Sequence, residues 1–146
     1  MLFRSLNPDK NHLGLGNDSS CVLRIDNGET VILLTGDIEK EAELNLLKQY
    51  PSLLKANILS APHHGSKTSG VFAFLKAVNP QYVLYSTGFH NRYHFPHPSV
   101  KASYRMLHTI QLNTAKTGAI EFKLKKNKIV SPDLYRLTHA HYWFYS

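Results

Sequence analysis

Three short stretches of this sequence hold side chains able to bind a metal or move a proton. They are Thr35-Gly36-Asp37, Pro62-His63-His64-Gly65-Ser66-Lys67, and the run from Ser86 to Pro98, which carries His90, His94 and His97. Imidazole and carboxylate together suit zinc, manganese or iron. Each stretch also has an ordinary explanation. Asp37 stands where a helix N-cap belongs, and aspartate is among the best caps. The glycine before it lets the backbone approach a ligand closely. A histidine pair in a loop is more often plain surface than ligand, but here proline and glycine fix the backbone on either side. Ser66 adds a hydroxyl and Lys67 a cation. His97, before Pro98, has a simpler role as the entry to a helix. His90 and His94 have as good a claim to decoration as to function. No functional argument attaches to His12, His108, His139 or His141, and the sequon at Asn17-Asp18-Ser19 means little without a secretory context.

The elements around these stretches explain why they should meet. Residues 1–20, with Asn7-Pro8 and Gly14-Leu15-Gly16, read as loop chemistry. Residues 21–25 and 30–34 are β-rich runs flanking Asn27-Gly28, a pair that signals a hairpin with a type I′ turn. The second run is apolar on both faces, as expected of a strand inside a sheet. Asp37 to Gln49 is rich in helix formers, with Ile38, Ala42 and Leu46 spaced by four. Residues 56–60 and 82–85 read as strands. Val71, Phe74, Leu75 and Val78 form a helical stripe, and a third helix starts at Pro98. Residues 110–112 and 119–124 complete the β content, and the aromatic tail 131–146 is left unassigned. Strands alternating with helices imply βαβ crossovers and a sheet with parallel pairs. In such sheets function gathers at the carboxyl ends of the strands, where all three stretches fall.

Composition sets the bounds. At 146 residues with 42% hydrophobic and 18% charged residues, the chain is one domain's worth of ordinary globular material. The formal charge of +7 favours a polyanionic partner, nucleic acid or an anionic membrane surface. The lysines at 123, 125, 126 and 128 read first as a solvated strand end, with phosphate contact the minority reading. A single cysteine, Cys21, excludes an intrachain disulfide and a cysteine-rich zinc cluster. The longest apolar runs, such as residues 31–34, are far too short to span a bilayer, and the first residues lack a signal-peptide pattern. The chain as written is expected to be soluble.

At Leu33-Leu34-Thr35-Gly36-Asp37 and Pro62-His63-His64-Gly65-Ser66 the sequence resembles the metallo-β-lactamase superfamily, and within it the C-terminal domain of ComEC-type DNA-uptake proteins. The likeness runs over residues 5–125 and takes in Asn17-Asp18-Ser19-Ser20-Cys21-Val22-Leu23, Asn91 through Pro98, and Thr114 with Gly118-Ala119-Ile120. The spacing of the blocks carries it. The resemblance implies an αββα sandwich with a two-metal site of zinc or manganese. Of that sandwich the chain would be one half: an α/β unit, residues 1–146 as a single partial domain, with a mixed sheet and helices on one side. Asp37 would bridge the metals and His64, or alternatively His63, would ligate one of them. The other histidine, Ser66 and Lys67 would face a substrate phosphate, and His97 would be a further phosphate-facing group or general acid. The implied partners are DNA, the missing first half of the domain, and the channel portion of a parent associated with the bacterial inner membrane.

The family's His-x-Asp-x-Asp-His motif, which supplies most metal ligands, does not occur in this sequence. Asp37 and one histidine fall short of the three protein ligands of a catalytic zinc site. The expectation is therefore a fragment or split product with a partial or empty metal site and little activity alone. Two alternatives stand beside it: a non-catalytic DNA-binding or structural remnant, and a hydrolase for another phosphodiester, such as a phosphorylcholine ester.

Overall fold

The computed structural model describes residues 1–8, 13–125, 128–129 and 131–139. Its centre is a six-stranded sheet in which spatial order follows chain order: β1 (Leu2–Asn7), β2 (Val22–Asp26), β3 (Val31–Leu34), β4 (Ile58–Ser60), β5 (Tyr82–Tyr85) and β6 (Ile110–Asn113). The first three strands pair antiparallel and the last four parallel. The parallel crossovers run through α1 (Lys40–Gln49), α2 (Phe72–Val78) and α3 (Pro98–Met106). Crossovers of one hand that always step in the same direction must leave their helices on one face of the sheet. The expected mixed sheet, helices on one side, is therefore what the connectivity produces.

That face holds the main core. Leu33, Leu59, Val83 and Tyr85 from the strands meet Ile38, Leu46, Phe74, Leu75, Val78, Val100 and Tyr104 from the helical segments, all buried. On the opposite face Ile58, Tyr82 and Leu112 are covered by Phe122, Leu124 and Leu134, with the Tyr82 and Phe122 rings edge to face at 5.2 Å. This cover comes from the short pieces β7 (Ile120–Glu121), β8 (Leu124–Lys125) and β10 (Asp133–Leu134) and the residues beside them, with β9 (Lys128–Ile129) paired to β8. Among the described residues it stops at the parallel half of the sheet. Over β1–β3 the same face leaves Phe3 60% and Leu34 38% exposed, with Leu23, Ile25 and Ile32 only partly buried. A sheet face of this kind belongs to half of a sandwich.

Three local expectations need correction. Residues 2–7 form an edge strand rather than a loop; only Leu6 and Asn7 are buried, so the segment lacks a strong apolar pattern. The β2–β3 hairpin exists, but Asp26 pairs with Val31 around a four-residue loop. Of Asn27-Gly28 only the glycine takes a positive φ, 91°, and the Asn27 side chain instead accepts the Glu29 and Thr30 N–H groups. The 119–124 strand is broken into β7 and β8. The tail, unassigned from sequence, contributes β10 and a short helix, Tyr135–Thr138; Lys126, His12, His141 and residues 140–146 lie outside the described residues.

One buried acid joins α1 to α2. Glu43 is fully buried, and its two carboxyl oxygens accept the Gly70 and Val71 N–H groups, each at 2.7 Å. Burial pushes this carboxyl up to about 7 from 4.5, against the pull of the two N–H donors. The folded state therefore holds the Glu43 proton more tightly than the unfolded chain does. Its stabilising contribution is complete below pH 4.5 and is lost as pH rises through 7, by about 3 kcal/mol. Urea unfolding between pH 4.5 and 7.5 should show this decline. Glu43→Gln, although less stable because its amide NH2 would face one of the two N–H donors, should flatten it. An identical slope in the variant would assign the pH dependence to other groups.

Candidate metal and phosphate site

The parallel strands β3–β6 end along one edge, and the loops that leave them build the site. Thr35, just past β3, is tied to β4: its N–H reaches Ser60 Oγ at 2.9 Å and its hydroxyl donates to the Ser60 carbonyl at 2.8 Å. Gly36 follows with φ 55°, and a Cβ there would sit 2.9 Å from the Ser20 Cβ. Close approach does require this glycine, but the neighbour is Ser20, which also accepts the Asp37 N–H at 3.2 Å. Asp37 does not cap α1. Glu39 occupies the N-cap position, and Asp18 accepts the Glu39 and Ala42 N–H groups from outside the helix. The Asp37 carboxylate is thereby left free to face the loop after β4.

That loop, Pro62–Gly65, is bound to its neighbour by a His63 N–H bond to the Gly36 carbonyl. His63 and His64 both have left-handed backbones, with φ of 44° and 56°, a conformation costing about 1–3 kcal/mol per non-glycine residue and concentrated at functional sites. Their rings find different partners. His64 Nε2 lies 3.2 Å from Asp37 Oδ1, and both side chains are a little under half exposed. His63 Nδ1 lies 2.9 Å from Glu39 Oε1. Glu39 also accepts from Thr68 Oγ1 at 2.8 Å, and that bond above all holds its carboxyl below the usual range. A carboxylate on one imidazole nitrogen fixes the ring and presents the other nitrogen, the arrangement found behind many metal- and substrate-facing histidines.

The remaining residues are placed less directly. Ser66 is buried, with its hydroxyl 2.9 Å from Thr68 Oγ1, while Lys67 is exposed. His97 caps α3, its Nδ1 accepting from the Ser99 N–H at 3.3 Å. A cleft of about 510 Å³ opens beside the histidine pair, lined also by Ser86, Thr87, Gly88, Asn91, Tyr93 and Phe95. His90 and His94 line an adjoining cleft with Lys116 and Arg136. His108 sits past the end of α3, and His139 stacks on Tyr135 at 4.5 Å; neither approaches the pair through any described contact. Sequence reasoning missed Glu39 and Thr68, since no local pattern tells which loop a helix-cap side chain will meet.

Two donors bound to one tetrahedral zinc at about 2.0–2.2 Å stand about 3.3–3.6 Å apart, and the 3.2 Å between Asp37 and His64 lies just under that range. Among the described residues, however, no group of three or more His, Cys, Asp or Glu side chains is arranged to hold one. The chain's own donors therefore do not fit a complete catalytic metal site.

No family model matches the chain. It is 33% identical to competence protein ComA of Neisseria gonorrhoeae over 97% of its own length. ComE operon protein 3 of Bacillus subtilis matches at 36% over 84%, and Recombination protein 2 of Haemophilus influenzae at 32% over 87%. The chain belongs to the ComEC-type family of competence proteins. It spans only 16–20% of the length of these three ComEC-type relatives. No helix among its described residues is long and apolar enough to cross a membrane.

Proposed function

We propose that this ComEC-type chain is the second half of a metal-dependent phosphodiesterase domain that cleaves DNA during its uptake. The observation that carries the reading is the 3.2 Å approach of Asp37 Oδ1 to His64 Nε2 at the ends of two adjacent parallel strands. Relatives named for competence and recombination and a charge of +7 favour DNA as the polyanion. In this reading Asp37 and His64 are the chain's share of the metal ligands, and the other ligands lie outside it. Paired divalent ions would polarise the phosphodiester and acidify a water. The chain's own work is to position. His63, braced by Glu39, presents Nε2 toward a phosphate oxygen, and the Ser86 and Thr87 segment closes the other side of the cleft.

A second reading has its own support: a donor set that stops at two among the described residues suits a DNA-binding remnant without chemistry. Metal analysis and plasmid cleavage, run on this chain and on a version extended through the family's first-half motif, separate them. Hydrolysis with about two metals bound in the extended chain alone is the expected result. Failure of both chains to cleave would leave the remnant reading.

A further inference from the structure

The loop between β5 and α3 presents a feature that metal chemistry does not need. Phe89 is 72% and Tyr93 61% exposed, an unusual display of apolar rings on one short segment. The loop is held in shape rather than loose. Asn91 Nδ2 donates to the Phe95 carbonyl at 2.9 Å, Asn91 Oδ1 accepts the Phe95 N–H at 2.8 Å, and the Thr87 N–H is fixed on Thr114. Tyr93, Phe95 and His64 stack in sequence with interplanar angles of 21° and 22°, and the Arg92 guanidinium lies 4.8 Å from the Tyr93 centroid. A wall of parallel rings thus runs from the candidate metal ligand to solvent. On the other side of the loop, Phe89 borders the second cleft, about 600 Å³, whose cations are Lys116 and Arg136.

We propose that this loop is a base-stacking platform that makes the site selective for single-stranded nucleic acid, with one base packed at Tyr93 and Arg92 and another on Phe89. The proposal rests on the phosphodiesterase reading for its orientation. Phosphates of a strand crossing the loop would meet the histidine pair on one side and Lys116 with Arg136 on the other. Exposed rings and guanidinium planes, with cations alongside, are how proteins hold unpaired bases regardless of sequence. In a duplex the bases are already stacked on one another and cannot reach rings that protrude from a loop.

The test measures binding by this chain in EDTA, so that cleavage plays no part. The probes are a fluorescent oligothymidylate, an abasic oligomer of equal length and a blunt duplex, compared by anisotropy. The single strand should bind best. Tyr93→Ala and Phe89→Ala should each weaken it about tenfold and leave the abasic and duplex probes unchanged, while Tyr93→Phe keeps full affinity. Thermal melting equal to the parent's would show that the fold is intact, as expected for side chains this exposed. Equal affinity for oligothymidylate and the abasic strand, or no loss in either alanine variant, overturns the platform. So does disappearance of the single-strand preference in the extended chain, because the rings would then be covered by the rest of the domain. A chain that stacks bases but never cleaves, even when extended, would sink the phosphodiesterase reading and leave this one standing.

Discussion

Asp37→Ala, introduced into the chain extended to its full domain, should reduce metal-dependent hydrolysis by about a thousandfold or more. On the proposed reading Asp37 is one of the metal ligands, so its loss would weaken metal binding and with it the several kcal/mol of transition-state stabilisation that bound metal would supply. The variant should still fold. Asp37 makes no helix cap, its side chain is 44% exposed, and its backbone N–H bond to Ser20 survives the change. The histidines should then divide. His64→Ala should lower metal occupancy, because its Nε2 faces Asp37. His63→Ala should lower turnover more than occupancy, because its ring is braced by Glu39. Metal content by mass spectrometry beside single-turnover cleavage reads both. Near-parental cleavage by Asp37→Ala would remove the metal site from this part of the chain, and the opposite pattern in the histidines would exchange their roles.

Gly65→Ala is expected to be the most damaging single methyl addition on the helical side of the sheet. The backbone there has φ +83°, and an added Cβ would lie 2.7 Å from the Pro96 Cβ and 2.9 Å from the Tyr85 Cε1. Neither neighbour is the loose end of a flexible chain. Tyr85 is buried, with its hydroxyl bonded to Gln111, and its proline counterpart belongs to a rigid ring. Left-handed strain of about 1–2 kcal/mol adds to an overpacking cost of about 1–3 kcal/mol, for a loss of about 3 kcal/mol and about 10 °C in Tm. Gly28→Ala is the control. It has φ +91° and no atom within 4 Å of the added methyl, so it should show the strain alone. If the two variants melt together, the close approach of Pro96 and Tyr85 to Gly65 adds no cost beyond the backbone strain.

The contrast between these two sites explains what could be read from the sequence. Residues 31–34, 58–60 and 82–85 are apolar runs ended by small or turn-forming residues. Local chemistry therefore located three strand ends, and with them Asp37 and the histidine pair. Their convergence follows from parallel crossovers of one hand, a general rule that does not depend on this chain. What could not be read depends on distant partners. Asp18 caps α1 from 21 positions before Glu39, leaving Asp37 free. Glu39, from the start of that helix, reaches His63 across the loop. Ser66 is buried with its hydroxyl against Thr68 Oγ1, a partner that nothing in the local sequence announces. The first strand escaped notice because an edge strand with four exposed residues carries little of the burial signal on which strand recognition depends. Exposed rings such as Phe89 and Tyr93 carry no periodicity at all, and only their placement on a braced loop gives them meaning.

The strictly sequential strand order has a kinetic consequence. Every pairing in the large sheet joins strands that are consecutive in the chain, so each step of folding closes one hairpin or one crossover and never waits for a distant segment. Loop closure of this kind costs little and is fast relative to topologies in which remote strands must find each other. During synthesis such a sheet can grow one strand at a time in the order in which the ribosome delivers it. The last-formed strands would add to an edge already templated by those before them. A sheet built this way takes its register from pairings among its own consecutive strands.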